Sequence, residues 1–91
     1  MTQVIRDAKI SDLRFGDCDF ITLRGGEGQI WIQDQIETED GLLTENMYIF
    51  NRSFANTRKG SKRMSEFQSS ICRKLDKLGF SFGDGRWTRR K

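Results

Sequence analysis

Twelve Lys and Arg side chains between residues 52 and 91 stand against three carboxylates, a formal +9, while residues 1 to 51 hold four cations against ten acids, a formal −6. The overall +3 conceals this division. A cationic block of that density is suited to a polyanion, because each Lys or Arg that neutralises a phosphate releases condensed counterions. The candidate phosphate contacts are Arg52, Arg58, Lys59, Lys62, Arg63, Arg73, Lys74, Lys77, Arg86, Arg89, Arg90 and Lys91. Nucleic acid, DNA or RNA, is the commonest partner of such a surface. Trp31 adds a second kind of contact. It shares a stretch with Gln29, Gln33 and Gln35, where an indole is either covered by another element or offered to an unpaired base for stacking.

Other chemistries are poorly supplied. The chain has no histidine, no C-x-x-C, and two cysteines, Cys18 and Cys72, 54 positions apart. The usual zinc sites and every His-based triad are thereby removed, and the cysteines read as two reduced thiols. Asp17, Asp19, Glu27 and Asp34 are acids of the kind that hold Mg²⁺ in nucleases, but no lysine follows Glu27 closely, so they read as scattered surface acids. Gly25-Gly26-Glu27-Gly28 lacks the Lys-Ser/Thr ending of a phosphate-binding loop and reads as a hairpin turn. The expectation is a protein without catalysis, metal or cofactor. No apolar run approaches the roughly 18 residues of a membrane span, and MTQVIRDAKISD lacks the apolar stretch of a signal peptide. A cytoplasmic chain is expected.

The elements that position these groups are legible in outline. Asp19 to Arg24 is rich in β-branched and aromatic residues. Gln29 to Ile36 alternates, with Ile30, Ile32 and Ile36 on one face and Gln29, Trp31, Gln33 and Gln35 on the other. Asp40-Gly41 then turns the chain into Leu42 to Phe50. These three segments predict an antiparallel meander, entered through a turn at Leu13 to Gly16. Residues 1 to 12 fit a short helix through Val4, Ile5 and Ala8 slightly better than an edge strand.

The basic half begins with a loop, Asn51 to Gly60, followed by a helix over about 62–78, capped by Ser61 or Ser65 and ended by Gly79. Met64, Phe67, Ile71, Leu75 and Leu78 form its core stripe; Lys62, Arg63, Arg73, Lys74 and Lys77 lie opposite. Gly83-Asp84-Gly85 closes a C-terminal hairpin over about 80–89, with Phe80, Phe82 and Trp87 turned toward the core and Arg86, Thr88 and Arg90 away. A helix running directly into a basic hairpin resembles the recognition helix and wing that end a winged helix-turn-helix domain. The resemblance covers about the last 30 residues and implies that helix and hairpin approach a groove together. The first two thirds read as strands and depart from that family.

Together these readings predict one small α+β domain over 1–91, its acidic sheet part at 1–51 and its basic part at 52–91. Its expected role is phosphate binding, in a regulatory or accessory factor of the kind phages and mobile elements carry. The rival expectation is an interaction module, an inhibitor or adaptor whose basic face docks an acidic host protein. The acidic turn at Glu37, Glu39 and Asp40 would also allow a second copy of the chain to dock on the basic half.

Overall fold

A computed structural model describes residues 2–90. Six strands form one mixed sheet: β1 (Gln3–Ala8), β2 (Phe20–Gly26), β3 (Gln29–Thr38), β4 (Gly41–Phe50), β5 (Phe80–Gly83) and β6 (Arg86–Arg89). A single α-helix, α1 (Arg58–Lys77), and a 3₁₀ turn at Ile10–Asp12 complete the regular structure. The strand order is β1-β4-β3-β2-β6-β5.

The α+β class and the β2-β3-β4 meander are as expected, but the sheet is twice as wide. Residues 3–8 form a strand, not a helix: Val4 and Ile5 are β-branched, and the segment pairs in parallel with β4, Val4 opposite Met47 and Ile5 opposite Tyr48. The C-terminal hairpin is also no separate appendage. β6 hydrogen-bonds to β2, with Phe20 opposite Thr88 and Ile21 opposite Trp87, so the hairpin extends the sheet at its far edge. Its turn at Asp84-Gly85 has positive φ at both residues, as does Glu27-Gly28 between β2 and β3. That is the geometry of tight turns whose twist matches the strands they join.

The helix covers one face. Ile71 and Leu75 of α1 pack with Ile21, Ile30, Ile32, Tyr48, Phe50 and Phe80 of the sheet, and Leu13 and Phe15 complete the core from the connector before β2. Leu13 to Gly16 is therefore core as well as a bend. Phe15 stands edge-on to both Tyr48 and Phe80, at centroid distances of 5.6 and 5.9 Å. Among the described residues no segment lies across the opposite face, because β1 and the hairpin both sit in the plane of the sheet.

The helix starts earlier than expected, at Arg58. Thr57 is its cap: in an extended conformation, its hydroxyl accepts the Gly60 N–H at 3.0 Å. Ser61 and Ser65 lie inside the helix. A first turn reading Arg58-Lys59-Gly60 carries no apolar residue to announce it. Gly60 is required by contact: a Cβ there would run into the Ala55 carbonyl oxygen. At the other end Gly79, with φ of +96°, takes the left-handed position after the last turn.

Gly60→Ala supplies a direct check. Alanine gains about 1 kcal/mol in an unobstructed helix, but here the overpacking cost of about 1–3 kcal/mol should prevail. Urea unfolding is expected to show a lower midpoint for the variant.

Candidate nucleic-acid interface

The cations fall into three groups. Arg58, Lys59, Lys62, Arg63, Arg73 and Lys77 are all exposed on the outward arc of α1, and Lys74 is half-buried on its flank. Two acids share the arc, Glu66 and Asp76. Asp76 is engaged by Arg90 at 3.0 Å, the one salt bridge among the described residues. The first turn of the helix holds Arg58 and Lys59 and no acid. That arrangement opposes the helix dipole, which favours negative charge at an N-terminus.

A second group is occupied by the fold. Arg89 turns inward and donates to the carbonyls of Phe15, Gly16 and Cys18, with its guanidinium 4.6 Å from the Phe80 ring. Arg90 donates to the carbonyls of Phe80 and Asp76 as well as to the Asp76 carboxylate. These residues fasten the hairpin to the connector before β2 and to the end of α1. Lys91 lies outside the described residues.

Arg86 stands apart from both groups. It projects from β6 on the face opposite the helix, with its guanidinium 3.9 Å from the centroid of Phe20. Helix and hairpin therefore present cations on opposite sides of the sheet, not on one approach surface as the winged-helix likeness implied.

That open face also carries Trp31, half-buried, whose ring rests over Gly26. Its strand neighbours are Arg24 on β2 and Ile49 on β4. Beyond Trp31 a polar row crosses three strands: Thr22 donates to Gln35 at 3.1 Å, and Gln35 donates to Thr44 at 3.2 Å. Phe20, Arg24 and Arg6 of this face were not among the expected contacts. Alternation places Phe20 and Arg24 there once Ile21 is known to be buried.

Arg52 lies at the edge between the two faces. Its guanidinium sits over Phe67 at 5.2 Å and Phe54 at 5.7 Å. With Arg63, Glu66, Phe67 and Ser70 it lines a groove along the helix flank. The hairpin rings divide: Phe80 is buried and Trp87 packs against the core, but Phe82 is 64% exposed.

The acids do not gather. Asp34, 3% exposed, follows Ile30 and Ile32 onto the core face. It accepts from the Asn46 N–H at 2.8 Å, from the Asn46 side chain at 3.0 Å and from the Tyr48 hydroxyl at 3.5 Å. Asp19 accepts the Glu37 N–H at 2.9 Å. Among the described residues no three acids or thiols converge on a metal position, and no helix is long and apolar enough to cross a membrane. Compared with protein-family models, curated proteins and solved structures, the chain gave no match.

The buried polar cluster has a pH signature. Burial, followed by the nearby Asp34 charge, pushes the Cys18 thiol from 9.0 up to about 11 and the Tyr48 hydroxyl from 10.0 up to about 12. Both stay neutral in the folded chain where the unfolded chain ionises them. Their contribution is thus complete below pH 9, and is lost as pH rises through about 11 and about 12. Chemical unfolding at pH 8 and pH 11 should differ by the order of a few kcal/mol, and Asp34→Asn should shrink that difference if the variant folds.

The two hairpin arginines should also separate cleanly. Arg89→Gln is expected to lower stability by about 2–4 kcal/mol, since it removes charged donors from partly buried carbonyls. Arg86→Gln, losing one stacking contact, should cost about 1 kcal/mol or less. Thermal melts of the two variants read this out.

Proposed function

We propose that the chain binds nucleic acid through its phosphates, with the outward arc of α1 as the principal contact. The observation that carries this reading is the composition of that arc. Six exposed cations share it with Glu66 and with Asp76, which Arg90 already engages. Surface lysines and arginines in folded domains are ordinarily interspersed with acids. Here the excess extends into the first helical turn, where it costs helix stability. An external anion offsets that cost on two counts: it pairs with the side chains, and it lies near the positive end of the helix dipole.

A phosphate-binding arc of this kind reads charge and spacing, not base identity. Arg52, beside Arg63, extends it down the helix flank, while Arg89 and Arg90 act on the fold. As a binder the chain needs no reacting group, and its two thiols serve as core: Cys18 is buried and Cys72 half-buried.

Titration of labelled single- and double-stranded DNA and RNA at several salt concentrations tests the reading. Each phosphate neutralised should contribute about −0.9 to the slope of log K against log[salt] on duplex DNA. Lys62→Gln with Arg63→Gln should weaken binding and flatten that slope. Arg58→Gln with Lys59→Gln should weaken binding while leaving the melting temperature unchanged or slightly higher, because it relieves the clash with the dipole. An absence of binding at about 50 mM salt, where such contacts are strong, would remove the proposal. Capture of a stoichiometric protein from nuclease-treated lysate in its place would favour the inhibitor or adaptor role.

A further inference from the structure

A polar cleft of about 390 Å³ opens where β1 and β4 end, lined by Arg6, Gln29, Ile49, Asn51, Arg52 and Ser53 together with Asp7. Arg6 and Arg52 reach it from different segments, and neither has a carboxylate within ion-pair distance among the described residues. Asp7, whose φ of +56° turns the chain out of β1, shares the cleft without pairing to either. Asn51, Ser53 and Gln29 add hydrogen-bonding groups to the lining. Arginine's planar donors suit a phosphate, and Arg52 is steadied by the two phenyl rings beneath it.

The cleft adjoins Trp31. Ile49 is the cross-strand partner of Trp31, and Gln29 precedes it by two residues on the same face. The tip of the indole lies over Gly26 of β2, which is paired with Gln29, so the ring is at the same end of the sheet as the cleft and on the β2 side of β3. A glycine there leaves room for the ring to approach the strand. Gln29 and Ile49 thus connect the anion site to the aromatic platform.

We propose that this end of the open face is a nucleotide subsite for single-stranded nucleic acid, with a phosphate held between Arg6 and Arg52 and its base stacked on Trp31. The proposal rests on the phosphate-binding reading of the helix and adds to it the strandedness of the ligand. A duplex keeps its bases stacked within itself and cannot offer one to the indole. A single strand leaving the helix flank passes Arg63 and Arg52 before reaching Trp31, so the cleft joins the two faces.

The test uses a thymidine hexamer and a 20-base-pair duplex, followed by the indole N–H signals of Trp31 and Trp87 in the intact chain. The hexamer should shift Trp31 and leave Trp87 in place. Arg6→Gln and Trp31→Ala should each weaken hexamer binding by about 5-fold or more, the scale of a lost base stack, and leave duplex affinity within twofold. Trp31→Phe, which keeps an aromatic face, should retain most of the binding and guards against a folding defect in the alanine variant. Hexamer affinity unchanged by Arg6→Gln and Trp31→Ala but reduced by the helix substitutions would overturn the subsite and leave the helix reading standing. Failure of both hexamer and duplex to bind would overturn both.

Discussion

Everything on the helix side of this molecule hangs on two places where backbone meets backbone without a side chain between. At the β2–β3 turn the Phe54 N–H donates to the Gly28 carbonyl at 2.7 Å, and the Phe54 carbonyl presses back on the Gly28 Cα. Six residues later Gly60 receives the Ala55 carbonyl at the same close range. The connector from Asn51 to Thr57 is thereby held between the sheet and the first turn of α1. It would otherwise be an exposed polar loop with freedom to move. Held in this way it places the Thr57 cap, aims the helix, and leaves Arg52 at the border of the two faces.

The fold that results is deliberately one-sided. A single helix supplies one apolar stripe and covers one face of six strands, so the sheet's two faces meet different environments. On the covered side the pattern is a close-packed aliphatic and aromatic core into which one carboxylate, Asp34, is admitted. Its admission is local: Glu45 is left unpaired between the Asp34–Asn46 and Gln35–Thr44 pairs, and this bulge frees the Asn46 N–H to bond the carboxylate. On the uncovered side the same strands show threonine, glutamine, two aromatics and three arginines. The acidic and basic halves of the chain are therefore not two halves of the molecule. Cations stand on both sides of the sheet, at the helix and on the open face.

Much of this could be read from short-range pattern. The alternation of Gln29 to Ile36, the spacing from Met64 to Leu78 and the glycine pairs in the turns each determine structure over a few residues, and each agrees with what the chain does. What escaped was what depends on partners far along the chain. Val4 and Ile5 choose a strand because β4 lies beside them, 40 residues on. Phe80 to Arg89 is legible as a hairpin, but its bond to β2 is not, and that bond decides which way Arg86 faces. The same holds for the candidate site. The helical cations follow from a wheel, whereas the inward turn of Arg89 depends on the pairing of β6 with β2, and the sharing of one cleft by Arg6 and Arg52 on the register of β1. Asp34 escaped for another reason. Alternation puts it on the face of Ile30 and Ile32, but a charge is read outward, and the β4 bulge that supplies its Asn46 partner is not written in the local pattern.

The long-range pairings also set an order of assembly. β1 precedes the other strands, yet among the described residues its strand neighbour is β4, so it has no partner until about forty further residues have been made. The connector before β2 waits longer still: the carbonyls of residues 15, 16 and 18 are gripped by Arg89, more than 70 positions on. Such separations carry a loop-closure cost that contacts repay only after it has been met. The β2-β3-β4 meander, by contrast, is entirely local. Synthesis therefore deposits a ready nucleus in β2 to β4, on which β1 can dock at once, while the connector before β2 remains unfastened until β6 arrives to bolt it in place.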